Sequence, residues 1–138
     1  MKKLLLTLTI LFSISLSSYA QNWDKIYSDE NINIETKVVE CNPHNKQYPF
    51  SYIVLRYTNK TNQEVDFNFE FELEYNGVIV EQVKNDLGDE AKLKKIHLNA
   101  NEVREGSCGT ASETYKIFYK TSHPKLDNRL TNIKIITK

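Results

Sequence analysis

The chain has 138 residues with 18 basic and 18 acidic side chains, so its formal net charge is zero. That balance gives no electrostatic case for nucleic acid, which wants a concentrated basic face, and 40% hydrophobic residues with 11% aromatics argue for a packed fold rather than disorder. With only 4 Gly and 3 Pro, the turns must rely on Asn, Asp and Lys.

Residues 1–20 read as three zones. Lys2 and Lys3 make a positive start, residues 4–16 are an apolar run broken only by Thr and Ser, and Ser18-Tyr19-Ala20 sets small residues before Gln21. This is the layout of a secretory signal peptide. The run is too short for the roughly 20 residues of a membrane span. No Cys follows the small residues, and no second long apolar stretch exists. The expectation is a leader over 1–20 and one mature domain over 21–138. That domain would be periplasmic or secreted, not inserted in a membrane, and would carry two net negative charges.

Both cysteines, Cys41 and Cys108, fall in the mature part. An exported chain meets oxidising conditions, so a disulfide between them is the simplest reading. It would close a loop of about 67 residues and stabilise by roughly 4 kcal/mol in the chain-entropy model. The alternatives are a buried pair of free thiols or a reactive thiol. The context Gly106-Ser107-Cys108-Gly109 offers no nearby His to activate a catalytic Cys.

In chain order, the first strand signal is Ile32–Cys41, with Ile32, Ile34, Thr36 and Val38 on one side. Asn42-Pro43 ends it, because Pro lacks the ladder donor. Residues 42–50 follow as a loop holding Pro43, His44, Tyr48, Pro49 and Phe50. His44, Tyr48 and Phe50 are candidate binding residues there, since loops beside a rigid scaffold carry contacts. The competing reading has Tyr48 and Phe50 fold back to cap the core.

Residues 52–58 alternate Ile53, Leu55 and Tyr57 against Tyr52, Val54 and Arg56. Asn59-Lys60-Thr61-Asn62 then makes a polar turn; it contains a glycosylation sequon that is read here as turn chemistry. Val65–Tyr75 is the clearest element. Val65, Phe67, Phe69, Phe71, Leu73 and Tyr75 alternate with Asp66, Asn68, Glu70, Glu72 and Glu74, the period of a strand with one buried face. Asn76-Gly77 and a further apolar run predict a type I′ hairpin. The three strands are expected to form a meander.

Residues 85–90 read as a loop and residues 92–98 as a strand with a bulge at Lys94-Lys95. One or two helical turns over residues 86–95 are the alternative. Residues 114–120 alternate again, His123-Pro124 stops them, and residues 130–137 close the chain. These seven strand candidates, with no convincing amphipathic helix, predict an all-β, antiparallel sandwich of about seven strands.

The acidic row Asp66, Glu70, Glu72 and Glu74 could hold Ca²⁺ or supply an acid and a base. The plainer reading is a wet outer face whose charge blocks edge pairing, offset by Lys116, Lys120, Arg56 or Lys134. Asn85-Asp86-Leu87-Gly88-Asp89-Glu90 is acidic but lacks EF-hand spacing. His44, His97 and His123 share no ligand spacing, and Ser107 and Ser112 lack a nucleophile elbow. No metal and no cofactor is expected.

The order and size of the strands resemble immunoglobulin-like and fibronectin type III-like sandwiches. Residues 53–59 followed by Val65–Tyr75 resemble the central hairpins of such domains, and Leu98-Asn99-Ala100-Asn101-Glu102 resembles the turn after their fifth strand. The immunoglobulin Cys–Trp–Cys order is absent, because Trp23 precedes Cys41. The leader and its Tyr-Ala-Gln junction resemble those of small secreted proteins of Bacteroidota-type bacteria. Together these imply an exported, non-enzymatic binding or structural module. Its partner would be another protein or a glycan, a protease-inhibitor-like role being a sub-case. The alternative is a small exported hydrolase using His and carboxylate side chains.

Overall fold

The computed structural model describes residues 22–41, 50–80, 93–121 and 128–138. The leader, His44, Tyr48, His123 and the acidic segment 85–90 lie outside the described residues. Nine strands are described: β1 Asp24–Ser28, β2 Ile32–Cys41, β3 Phe50–Asn59, β4 Val65–Tyr75, β5 Val78–Val80, β6 Lys94–Leu98, β7 Val103–Glu105, β8 Lys116–Thr121 and β9 Leu130–Thr137. They form two antiparallel sheets packed as a β-sandwich.

Each sheet is organised around one long strand. In sheet A, β3 pairs with β2 along one side, and with β8 and then β7 along the other; β1 is the far edge. In sheet B, β4 pairs with β9 on one side, and with β6 and then β5 on the other. The expected meander is therefore corrected. The turn after Asn59 carries the chain from sheet A to sheet B, so β3 and β4 face each other. The reason is the aromatic load on β4. Phe67, Phe69 and Phe71 need a partner layer, and Ile53, Leu55 and Tyr57 of β3 provide it.

The core holds these residues with Ile32, Ile34, Ile96, Leu98, Ile117, Leu130 and Ile135. Val38 leaves the pattern and is 50% exposed, because β2 runs past the end of the core. The hairpin forms as the sequence predicts, with Asn76 and Gly77 at φ 50° and 80°. The expected bulge at Lys94-Lys95 is absent, since β6 pairs with β4 without a break. Lys94 instead takes an inward register position beside Ile96 and extends its ammonium to Glu113, 3.5 Å away.

One latch joins the layers: the hydroxyl of Tyr75 on β4 donates to the carbonyl of Phe118 on β8 at 2.7 Å. Within sheet A, the hydroxyl of Tyr57 donates to the carbonyl of Thr114. Asn59 is 2% exposed. Its amide donates to the carbonyls of Gln63 and Asn99 at 2.7 and 2.8 Å, and its oxygen accepts from Thr61. It therefore ties two turns together, which is the turn role read for this sequon.

Candidate functional site

β7 and β8 would be one continuous neighbour of β3, were it not for an excursion over residues 106–115. Leu55 closes the excursion by bonding both ends. Its amide donates to the Tyr115 carbonyl and its carbonyl accepts from the Gly106 amide, both at 2.9 Å. A Cβ at Gly106 would sit 2.1 Å from the Tyr115 carbonyl oxygen, so only glycine fits this pinch. Within the excursion the Ser107 amide donates to the Thr110 hydroxyl at 2.8 Å, and the Ser112 hydroxyl accepts from the Thr114 amide at 3.3 Å.

Cys108 within the excursion lies on the outer face of sheet A, whereas Tyr115 at its end packs against the core. Cys108 forms a disulfide with Cys41 at the end of β2, with Cα atoms 5.7 Å apart. Lys116 donates to the Cys108 carbonyl at 2.9 Å. Val54 points away from the core, yet it is 2% exposed.

Around this bridge the outer face is aromatic. Cross-strand register sets Phe50 and Cys41, Tyr52 and Val39, and Arg56 and Glu35 on one side, with Phe118 beside Tyr52. Phe118 meets the rings of Phe50 and Tyr52 edge-on at 6.3 and 5.9 Å. Lys116 lies over the Tyr52 ring at 4.8 Å. Further along, the Arg56 guanidinium stacks on Trp23 at 4.3 Å with Lys37 at 5.9 Å, and Glu35 holds Arg56 at 2.9 Å. These rings are half-buried and lie outside the core cluster. Phe50 is thus a member of this outer cluster, among groups that the linear sequence does not bring together.

The acidic row sits on the outer face of sheet B, and each acid has a neighbour. Asp66 meets His97 Nδ1 at 2.9 Å, Glu70 meets Lys138 at 3.3 Å, and Glu72 meets Lys134 at 4.0 Å. Glu74 accepts from Thr131 at 2.8 Å. Of the cations expected to offset this row, Lys134 does so. Lys116, Lys120 and Arg56 are on strands of the other sheet. His97 and Asp66 are 51% and 80% exposed in their side chains, on an open strand pair without walls to exclude water. Among the described residues no three His, Cys, Asp or Glu converge as metal ligands.

Two carboxylates are perturbed elsewhere. Burial pulls the Asp29 carboxyl upward, but the amides of Ile32 and Asn31 and the Tyr27 hydroxyl outweigh it and hold Asp29 below the usual carboxylate range. The Asn99 amide, with Arg104, likewise holds Glu102 low. Both carboxylates brace turns.

No known protein family, curated protein or solved structure matches this chain.

Proposed function

We propose that the protein is an exported, non-enzymatic binding module that engages a protein partner through the outer face of sheet A. The observation that carries this reading is the cluster of Trp23, Phe50, Tyr52 and Phe118, set outside the core and threaded by Arg56, Lys37 and Lys116. Aromatic and Arg side chains supply most of the binding energy at protein interfaces, and a flat strand face suits a broad partner. The Cys41–Cys108 bridge keeps the adjoining excursion in place before binding, which lowers the ordering cost. Export is supported by the leader-like start of the chain and by this bridge. The passage of the chain between sheets after β3 supports the immunoglobulin-like resemblance.

The hydrolase reading has the His97–Asp66 contact in its favour. That contact is a side-chain hydrogen bond to Asp66 at 2.9 Å, and both side chains stand open to water.

A photo-reactive phenylalanine analogue in place of Lys37, compared with one in place of Glu72, tests the reading in native envelope preparations. Position 37 should give a discrete protein adduct and position 72 none. Equal adducts from both positions, or an adduct carrying only glycan, would overturn it.

A further inference from the structure

Among the described residues the strand ladders contain three irregularities, and all three fall at one place. In β1, Lys25 and Tyr27 pair with the consecutive residues Glu35 and Ile34, so Ile26 is an extra residue. In β8, Lys120 and Phe118 pair with Ser51 and Tyr52, so Tyr119 is extra. In β9, Asn132 and Leu130 pair with Glu74 and Tyr75, so Thr131 is extra. Ile26, Tyr119 and Thr131 all line one cavity of about 420 Å³, together with Ile53, Arg129, Leu130, Asn132 and Ile133. A bulge re-aims a side chain and interrupts pairing, and bulges collect beside functional sites. Three strands from both sheets have each given up regular pairing around the same space.

The lining has two characters. Ile26, Ile53, Leu130 and Ile133 are apolar and belong to the core or pack against it. Arg129 stands at the polar side, where it stacks on Tyr119 with its guanidinium carbon 5.4 Å from the ring centre. Its Nε and one Nη donate to the Tyr119 hydroxyl at 3.1 and 2.8 Å. A guanidinium has five N–H donors, so three remain. Among the described residues no carboxylate lies within ion-pair distance of Arg129. Because the Tyr119 oxygen accepts from Arg129, its own proton is left to donate.

We infer that this cavity binds a small amphiphile with one anionic head. Its apolar part would lie on Ile26, Ile53, Leu130 and Ile133, and its head would meet Arg129 and the Tyr119 hydroxyl. The volume falls within the range of small-molecule sites, roughly 300–1,000 Å³. A guanidinium fork suits a planar carboxylate better than a neutral head. This site is separate from the outer face of sheet A and does not depend on the function proposed for that face.

Decanoate, decanol and acetate, each titrated into the purified oxidised protein, test the inference by calorimetry and methyl NMR. Decanoate should bind saturably at one site, with shifts centred on Ile26, Ile53, Leu130 and Ile133. Decanol should bind about tenfold more weakly or worse, as expected for loss of a charged hydrogen bond, and acetate should not saturate. Arg129→Met should weaken decanoate by a similar factor and leave decanol unchanged. Ile133→Trp should fill the cavity and block both; if that variant does not fold, Ile26→Trp closes the opposite wall from an edge strand. Absence of saturable binding, shifts centred on Tyr52 and Phe118, equal binding of decanoate and decanol, or indifference to Arg129→Met would each overturn the inference.

Discussion

The two outer faces of this sandwich are built on the same strand geometry and have opposite chemistry. On sheet B, β4 shows Asp66, Glu70, Glu72 and Glu74, each met by a His, Lys or Thr on a neighbouring strand or just beyond its end. On sheet A, β3 shows Phe50, Tyr52, Val54 and Arg56, crossed by a disulfide and lined with cation–ring contacts. A charged face that answers itself stays in water. An aromatic face that the core does not use costs solvation unless something covers it. Alternation therefore identifies a strand, but the outward set of residues decides what the strand is for.

The largest effect should separate the faces directly. Replacing Cys41 and Cys108 with Ser should cost about 4 kcal/mol of stability, read by denaturant unfolding. The same change should loosen the excursion, so amide exchange of residues 106–115 should accelerate while β4 and β9 stay protected. Equal loosening of both sheets would remove the distinction. Gly106→Ala comes next. Its Cβ must displace the Tyr115 carbonyl, at a cost of about 1–3 kcal/mol, and Tyr52 and Phe118 should shift with it in NMR spectra.

Tyr57→Phe should cost about 1–3 kcal/mol, since the half-buried Thr114 carbonyl loses its donor. Burial, helped by the neighbouring Tyr115, pushes the Tyr57 phenol above its ordinary value of 10.0. The folded state thus favours the neutral phenol. This contribution is whole below pH 10 and is lost as pH rises above it. Alkaline unfolding monitored by circular dichroism should be less steep in Tyr57→Phe than in the native chain.

The smallest effect belongs to sheet B. Glu70→Gln and Glu72→Gln should each change stability by under about 0.5 kcal/mol, because their partners are solvent-facing lysines. A larger loss would mean that this face is structural rather than merely wet.

Much of the fold was legible in the residues themselves. The period of Val65–Tyr75, the Asn76-Gly77 turn, the extent of Ile32–Cys41 and the Cys41–Cys108 pairing all have local or compartmental signals. Strands β1 and β7 were not legible. Asp24–Ser28 and Val103–Glu105 are short; the first is held as the edge partner of β2, and the second by Arg56, Tyr57 and Thr58 of β3, which are distant in sequence. Nor was the passage of the chain between sheets after Asn59, since a polar turn reads the same whether it closes a hairpin or crosses between layers.

The outer aromatic face was legible only at Phe50. Tyr52 and Phe118 read as the back of their strands, and Trp23 stood outside every predicted element. The three bulges left only the adjacent pairs Ile26-Tyr27 and Phe118-Tyr119 as a trace. Whether such a pair breaks alternation or ends a strand depends on register with a distant partner.

The most direct test of the contrast between the faces is side-chain NMR of the labelled protein, alone and with a soluble envelope extract. Chemical-shift changes are expected at Trp23, Tyr52 and Phe118, with the outward Ile136 methyls on sheet B unmoved. Changes at Ile136 with the aromatic resonances unmoved would contradict it.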